Sequence, residues 1–435
     1  MLQCGAKNVN PLERFVSSLP VAAVLPELLT ALDCAPQVLL SAPTGAGKST
    51  WLPLQLLAHP GINGKIILLE PRRLAARNVA QRLAELLNEK PGDTVGYRMR
   101  AQNCVGPNTR LEVVTEGVLT RMIQRDPELS GVGLVILDEF HERSLQADLA
   151  LALLLDVQQG LRDDLKLLIM SATLDNDRLQ QMLPEAPVVI SEGRSFPVER
   201  RYLPLPAHQR FDDAVAVATA EMLRQESGSL LLFLPGVGEI QRVQEQLASR
   251  IGSDVLLCPL YGALSLNDQR SDPPGTARDA QSGAGDQYCS ATNLTIEGIR
   301  LVVDCAQERV VRFEPRTGLT RLITQRVSQA SMTQRAGRAV GVWSRVSADP
   351  VSPKNKQNAL PRKVNRKILQ SDLSGLLMEL LQWGCSDPAQ MSWLDQPPVV
   401  NLMAAKRLLQ MLGALDGERL SAQGKKWQRW VTIRV

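Results

Sequence analysis

The sequence lacks several features that would assign it at once to a class of protein. Its seven cysteines are scattered without a C-x-x-C pair, so their spacing gives no zinc site and favours reduced thiols. No apolar run approaches the length of a membrane span, and the first residues carry no signal-peptide pattern. We therefore expect a globular protein of the cytoplasm with no membrane partner.

The chain also lacks a strong overall charge. Its formal net charge is +4, but residues 340–368 carry seven Lys and Arg against one Asp, so the remainder is slightly negative. Such a balance does not by itself predict a polyanionic partner. With 435 residues, 44% of them apolar, the chain has room for two or three domains with hydrophobic cores.

The sequence does contain a glycine-rich phosphate-binding pattern, Ala42-Pro43-Thr44-Gly45-Ala46-Gly47-Lys48-Ser49, with Ala42 in place of the usual first glycine. A strand-like run at 37–40 precedes it, and a run that can continue as a helix, 50–57, follows it. In such loops backbone N–H groups surround the phosphates, the lysine reaches the β and γ phosphates, and the Ser hydroxyl holds Mg²⁺. The candidate nucleotide-binding residues are Thr44, Gly45, Ala46, Gly47, Lys48, Ser49 and Thr50.

A second pattern, Asp138-Glu139-Phe140-His141, follows the apolar run 134–137. That position places two carboxylates at the carboxyl edge of a parallel sheet. Asp138 is expected to hold the metal through water, and Glu139 to polarise the attacking water. Acidic pairs also cap helices, but together with the glycine-rich loop this pair predicts hydrolysis of a nucleoside triphosphate.

Apolar runs of strand length alternate with helix-periodic segments, first over residues 18–196 and again over 197–368. This alternation predicts an α/β fold with two tandem lobes, each a parallel sheet covered by helices. The pattern becomes mostly helical over 369–435, residues 1–17 are predicted to be a disordered extension, and the polar segment 193–206 is predicted to be a hinge. The candidate strands are 38–40, 66–69, 111–114, 135–137 and 167–170 in the first lobe and 230–234, 254–257 and 299–304 in the second.

With these and other blocks in the same order, the chain resembles the DEAH-box helicases of the second helicase superfamily, which are ATP-dependent RNA helicases. The likeness covers roughly 18–270, 294–339 and 369–424. It implies two RecA-like lobes followed by a small winged-helix-like module, truncated because such proteins continue into further RNA-contacting domains. Among the blocks that carry it are Glu70-Pro71-Arg72-Arg73, Thr115-Glu116-Gly117, Asp138-Glu139-Phe140-His141-Glu142-Arg143, Ser171-Ala172-Thr173 and Gln334-Arg335-Ala336-Gly337-Arg338.

The resemblance also implies roles for single residues. Gln334 would contact the γ phosphate or orient water, and Arg338 would be an arginine finger from the second lobe. His141 would couple the catalytic edge to that lobe, Arg143 would pair with a carboxylate nearby, and Arg82 would pack on adenine, although a surface arginine is an equal alternative. Residues proposed to link hydrolysis to strand separation are Ser171 and Thr173.

Several polar groups follow neighbouring predicted strands on the same sheet edge as the carboxylates. Guanidinium, hydroxyl and backbone N–H groups there suit the phosphates of a single RNA strand and predict little sequence preference. The candidate nucleic-acid-binding residues are Arg72, Arg73, Thr115, Glu116, Gly117 and Gly236.

Three segments depart from the family pattern. Residues 271–293 contain no Val, Ile, Leu, Met, Phe or Trp, so they predict no sheet strand where the family has a buried one. Residues 340–367 lack the second arginine finger and are atypical, as is the tail 425–435. We interpret these segments as compensated reading-frame slips in the gene or in its sequence, which resequencing of the coding DNA tests; divergence of surface loops is the alternative.

The leading functional prediction is a monomeric, ATP- and Mg²⁺-dependent RNA helicase that moves along or unwinds RNA, mainly single-stranded. One alternative is a nucleotide-dependent RNA clamp with impaired turnover, because the second lobe is altered. Another is a metabolic or regulatory P-loop ATPase that binds no nucleic acid, which leaves Arg72, Arg73 and the second lobe without a role.

Overall fold

The computed structural model describes residues 19–43, 45–172, 177–192, 199–206, 208–252, 255–259, 281–285, 299–337, 342–347 and 366–427. The chain forms two compact units, one made of Met1–Arg194 with Arg366–Val435 and the other of Ser195–Asn365. Each unit has its own parallel sheet and hydrophobic core. Within the described ranges, every helix is too short or too polar to traverse a lipid bilayer.

The sheet of the first unit has eight strands: β1 (Gln37–Ser41), β2 (Lys65–Leu69), β3 (Val95–Met99), β4 (Gln102–Cys104), β5 (Leu111–Val114), β6 (Val132–Leu137), β7 (Lys166–Ser171) and β8 (Val188–Ile190). Their order is β4-β3-β5-β2-β6-β7-β1-β8. Every neighbouring pair is parallel except β3 with β4. The carboxyl ends of β5, β2, β6, β7 and β1 therefore share one edge of the sheet, and the predicted functional patterns of the first lobe follow these ends.

Helices connect these strands and bury apolar residues on both faces of the sheet. The longest of them is fixed at its start by a cap, because the Ser144 hydroxyl accepts the N–H of Ala147 at 3.0 Å. A short 3₁₀ turn, Phe140–Glu142, precedes this helix. The helices are α1 (Pro20–Ala23), α2 (Leu25–Cys34), α3 (Leu52–Leu57), α4 (Arg73–Leu86), α5 (Glu116–Arg125), α6 (Leu145–Gly160) and α7 (Asp177–Met182).

The second unit contains a six-stranded, all-parallel sheet and a separate antiparallel hairpin. The sheet strands are β9 (Glu199–Pro204), β10 (Ser229–Phe233), β11 (Val255–Leu256), β12 (Gln281–Gly285), β13 (Ile299–Asp304) and β16 (Val342–Ser347), and the hairpin strands are β14 (Gln307–Glu314) and β15 (Leu319–Arg326). The sheet order is β11-β12-β10-β13-β16-β9. The helices are α8 (Phe211–Gln225), α9 (Val237–Ala248) and α10 (Gln329–Ala336).

The C-terminal region packs with the first unit. It comprises α11 (Ser374–Trp383), α12 (Val399–Met411) and a small hairpin of β17 (Leu415–Asp416) and β18 (Arg419–Leu420). Leu376 and Leu380 of α11 belong to the same buried cluster as Leu119 and Leu153 of the first lobe. A winged-helix-like character for this region, and the predicted boundaries at 196/197 and 368/369, stay predictions.

The α/β class with parallel sheets is confirmed, and each candidate strand overlaps an observed strand, although residue 254 lies outside the described residues. One expectation is wrong. The segment 271–293 does supply a strand, β12, because a ladder is formed by backbone groups and tolerates the small residues of Gln281–Gly285. The boundary between the two units, Arg194/Ser195, falls within the segment 193–206, and its role as a hinge stays a prediction. The later part of this segment forms β9, which pairs with β16 at the sheet edge, where polar side chains are tolerated.

Candidate active site

The glycine-rich loop connects β1 to α3 at the carboxyl edge of the first sheet. Gly45 and Gly47 have φ angles of +81° and +91°, which other residues rarely adopt, so the loop conformation requires glycine at both positions. The helix begins at Leu52, later than expected, because the N–H of Leu52 and that of Trp51 both bind the Gly47 carbonyl in a preceding turn. Thr50 lies in that turn, and Thr44 lies outside the described residues.

The structure brings the two predicted patterns together. The Nζ of Lys48 lies 2.5 Å from Oε1 of Glu139, and both side chains are buried. The Ser49 hydroxyl donates a hydrogen bond to the Asp138 carboxylate, whose other oxygen accepts the N–H of Glu139 at 2.7 Å. Two pairs therefore join the loop after β1 to the end of β6, although β7 lies between these strands in the sheet.

The charges of this site shift the pKa values of its carboxyl groups in opposite directions. Burial alone would raise the pKa of Glu139, but Lys48 and His141 hold it well below its usual range. Burial raises the pKa of Asp138, and the neighbouring Glu139 raises it further, against the effect of Lys48. Burial opposes a charge on Lys48, yet Glu139 and Asp138 keep its pKa raised. Glu139 is thus an ionised base beside a charged lysine.

The oxygen donors at this site suit Mg²⁺. The Ser49 hydroxyl and the Asp138 carboxylate are adjacent, and Mg²⁺ in phosphate sites takes one or two protein carboxylates with water and phosphate oxygens. Within the described ranges there is no group of three or more His, Cys, Asp and Glu side chains that could hold a metal alone. The donors therefore fit a cation bound together with a nucleotide better than a cation bound by protein alone.

His141 links two segments of the site. Its Nε2 lies 3.0 Å from Oε2 of Glu139, and its Nδ1 accepts the N–H of Ala172 at 3.2 Å. Because Nδ1 accepts a hydrogen bond, the hydrogen of the neutral ring is on Nε2, and this N–H donates a hydrogen bond to Glu139. Ala172 follows Ser171, the buried last residue of β7. The other predicted member of that block, Thr173, lies outside the described residues.

The predicted nucleic-acid-binding groups follow two adjacent strands, β2 and β5. Arg72 lies 3.4 Å from Glu142, and the exposed Arg73 donates to the carbonyl of Arg100 at 2.9 Å. Thr115 is buried before α5, and the carbonyl of Gly117 accepts from Arg121. These side chains and backbone groups lie on the same sheet edge as Asp138.

Two other predicted nucleic-acid-binding positions have different surroundings. Glu116 accepts a hydrogen bond from the Ser144 hydroxyl, and burial raises its pKa to about 7. Gly236 precedes α9 in the second unit, where a Cβ would meet the guanidinium of Arg309 at 2.9 Å. Arg82, the adenine candidate, is half-exposed on α4 and lies 3.6 Å from Glu85.

The second unit holds the remaining predicted residues. Gln334 lies on α10, and Arg338 lies outside the described residues. The intervening Arg335, which the sequence did not single out, is buried and donates to Asp304 at 2.8 Å with its guanidinium 5.0 Å from the centre of the Phe233 ring. The signal that could have revealed this pair in the sequence is the position of its partner, Asp304, at the end of the apolar strand β13.

Sequence reasoning missed one further carboxyl group of the first unit. Glu70, at the end of β2, is fully buried, and neither carboxylate oxygen has a hydrogen-bond partner among the described residues. Burial raises its pKa well above the usual value, and Asp138 and Glu139 add to the shift. The expected carboxylate partner of Arg143 is confirmed, but as two groups: Asp148 and the distant Asp395.

Comparison with known proteins defines the class of this site. Residues 22–182 match the family model described as "DEAD/DEAH box helicase". The first lobe is therefore a DEAD/DEAH box helicase domain, and the predicted resemblance is confirmed.

Individual relatives make the similarity more specific. The chain is 87% identical over 411 residues to the ATP-dependent RNA helicase HrpB of Escherichia coli, covering 94% of this chain and 51% of that protein. It is 33% identical over 424 residues to the ATP-dependent RNA helicase HrpA of the same organism, covering 94% of this chain and 32% of that protein. A crystal structure of E. coli HrpB superposes with a TM-score of 0.88 at 86% identity, covering 94% of this chain and 52% of the other. The chain thus spans about half the length of HrpB, and its α/β fold is that of a helicase core.

Proposed function

We propose that this chain is the ATP-hydrolysing core of an ATP-dependent RNA helicase of the DEAH class. One observation carries the proposal: the buried Lys48, Asp138 and Glu139 converge with the half-buried Ser49 at the carboxyl edge of a DEAD/DEAH domain. The similarity to the ATP-dependent RNA helicases HrpB and HrpA supports the same class. That similarity favours helicase activity over a clamp with impaired turnover.

The ion pair of Lys48 and Glu139 suggests how ATP binding prepares hydrolysis. Phosphate oxygens compete with Glu139 for the Lys48 ammonium, because they carry more negative charge. Once Lys48 turns to the phosphates, Glu139 keeps His141 as a partner and stays ionised. Its carboxylate then accepts a proton from the water that attacks the γ phosphate. Ser49 and Asp138 would hold Mg²⁺, which neutralises phosphate charge when bound.

The finer assignments belong to the same proposal. RNA lies as a single strand along the edge formed by Arg72, Arg73 and Thr115–Gly117, with further contact at Gly236. Its phosphates are recognised, so sequence preference is small. Arg82 packs on adenine, and Gln334 and Arg338 act on the γ phosphate from the second lobe. Ser171 and Thr173 couple hydrolysis to movement along RNA. The protein acts as a monomer in the cytoplasm.

An ATPase assay with and without single-stranded RNA tests the proposal. The wild-type chain should hydrolyse ATP faster when RNA is present. Glu139→Gln should still bind ATP and RNA, while turnover falls by about 10²- to 10⁴-fold, the usual contribution of a general base. Glu185→Gln, an exposed substitution in the same lobe, is the matched control and should leave turnover unchanged. Unaltered turnover in Glu139→Gln would refute the role of Glu139, and absence of RNA stimulation would refute the helicase class.

A further inference from the structure

The structure contains a charge cluster outside the catalytic pairs, centred on the buried Asp395. This carboxylate accepts from Arg143 Nη2 at 2.8 Å, from Arg366 Nη1 at 2.6 Å and from Arg178. Arg143 also forms a two-point contact with Asp148, in which its Nε and Nη2 each lie 3.1 Å from a carboxylate oxygen. We name these five residues the Asp395 cluster.

Two members of the Asp395 cluster belong to segments that leave the catalytic edge. Arg143 follows the 3₁₀ turn after Glu139, and Arg178 lies on α7, which follows β7 and the Ser171-Ala172 segment. Nearer the site, His141 already bonds Ala172 across these same two segments. Asp395, in the C-terminal region, therefore binds both the segment after β6 and the segment after β7. The same two segments are also joined beside Glu139, through His141.

The backbone between Glu139 and Arg143 requires support from its side chains. Glu139 and Arg143 have φ angles of 51° and 50°, a left-handed conformation that costs non-glycine residues on the order of 1–3 kcal/mol each. Lys48 and His141 hold the Glu139 end of this loop. At the other end, the guanidinium of Arg143 contacts Asp148, Asp395 and the Phe140 ring. The backbone of Arg143 forms two further hydrogen bonds, from its N–H to the Phe140 carbonyl at 3.1 Å and from the Lys367 N–H to its own carbonyl at 3.4 Å.

We propose that Asp395 is a positioning residue for ATP hydrolysis: by holding the guanidinium of Arg143, it fixes the loop that orients Glu139. This inference rests on the proposed ATPase function. Asp395 contacts Arg143 and acts through it. The C-terminal region then contributes to catalysis by setting the geometry of the first lobe.

The same region offers a matched control. Trp383 on α11 donates from Nε1 to Asp156 of α6 at 2.7 Å. This contact also joins the C-terminal region to the first lobe, but it lies on a helix and touches no residue of the Asp138–Arg143 loop. Asp156→Asn therefore weakens the attachment of the region without releasing Arg143, whereas Asp395→Asn removes the charge that three arginines share.

The test measures kcat and KM for ATP, binding of a fluorescent ATP analogue, and the thermal midpoint for each variant. Asp395→Asn should lower kcat about tenfold, since a small misplacement of a catalytic group is costly, while analogue binding changes less than twofold. Asp395→Glu, which keeps the charge, should recover most of the loss. Asp156→Asn should lower the thermal midpoint without lowering kcat.

A double-mutant cycle adds a readout that general destabilisation would not produce. Arg143→Lys keeps the positive charge but cannot bridge Asp148 and Asp395, so it should lower kcat to a similar extent. If both residues act through one contact, the double variant should be no slower than either single variant. Arg143→Lys also provides the measurement if Asp395→Asn does not fold.

Three results would overturn the inference: unchanged kcat in the Asp395 and Arg143 variants, an equal loss of kcat in Asp156→Asn, or full additivity in the cycle. These are distinct from failure of the proposed function. If the proposed function is wrong, the wild-type chain itself does not hydrolyse ATP, and the inference about Asp395 is then refuted together with the proposed function.

Discussion

Lys48 and Glu139 form a buried ion pair, with Nζ and Oε1 2.5 Å apart. The pair joins the glycine-rich loop after β1 to the carboxylate after β6, two segments separated by β7 in the sheet. The pair therefore both stabilises the folded site and sets the charge of the groups proposed to act in catalysis. Lys48, which is proposed to bind the phosphates of the nucleotide, thus also compensates the charge of Glu139, the proposed base.

The first prediction concerns the stability of this pair in the nucleotide-free protein. Lys48→Met removes one partner and leaves the buried Glu139 charge with His141 alone, so the first lobe should lose about 3 kcal/mol of unfolding free energy. Glu139→Gln should also destabilise the lobe. The double variant should recover at least half of the summed loss, because neither buried charge remains. Urea unfolding of the four proteins measures these values, and strictly additive losses would contradict the coupling.

The second prediction concerns the pH dependence of activity. Burial would raise the pKa of Glu139, while Lys48 and then His141 lower it, and the base must be ionised to accept a proton. Removal of His141 should therefore raise this pKa, so His141→Ala should lose activity at a higher pH than the wild type on the acid side of the profile. A profile of kcat/KM against pH measures the shift. His208→Ala, at an exposed histidine, should leave the acid limb in place.

The third prediction concerns stability against pH at Glu116. Burial raises its pKa to about 7 from the ordinary value of 4.5, so the folded protein binds this proton more tightly than the unfolded chain does. Its contribution to stability is therefore greatest at low pH and is lost as the pH rises through about 7. Glu116→Gln removes this dependence. Relative to wild type, the variant should gain up to about 3 kcal/mol between pH 4.5 and pH 8.

Denaturant unfolding at several pH values gives the difference between the Glu116→Gln variant and the wild type. Using the difference cancels the titration of all other groups. Glu185→Gln, an exposed substitution, should give a difference that does not change with pH. A pH-independent difference for Glu116→Gln as well would show that this carboxyl group titrates normally in the fold.

The sequence predicted those parts of the fold that local patterns determine. Fully apolar runs such as 134–137 are strands because a parallel sheet covered on both faces buries every side chain. The small, polar β12 and the charged β9 have no such signal, since backbone pairing with neighbours makes them strands. Only the three-dimensional arrangement reveals these pairings.

The candidate site was predictable to a similar extent. Lys48, Ser49, Asp138 and Glu139 follow strands in patterns whose chemistry is local, so their convergence at one sheet edge follows from the topology. Asp395 is 252 positions from Arg143, and no periodicity or motif connects them. Its role depends on how the C-terminal region packs on the first lobe, which only the tertiary structure specifies.

The last prediction concerns the RNA-binding edge. Arg73 is exposed at the carboxyl end of β2, where it is proposed to contact a phosphate. Arg73→Ala should weaken binding of single-stranded RNA about equally for all sequences, because a phosphate contact reads no base. The slope of log K against log salt should fall by about 0.7, the value for one phosphate contact on a single strand. Binding of ATP should not change.

Arg110 is the matched control for this measurement. It too is exposed and donates to a backbone carbonyl, that of Leu57 at 3.2 Å, but it precedes β5 and therefore lies at the opposite edge of the sheet. Arg110→Ala removes the same charge without touching the proposed path of the RNA, so affinity and salt slope should stay close to wild type. Fluorescence anisotropy of labelled RNA at four salt concentrations compares the two variants. Equal effects would mean that the two arginines act only through overall charge, and the RNA strand would then have to lie elsewhere.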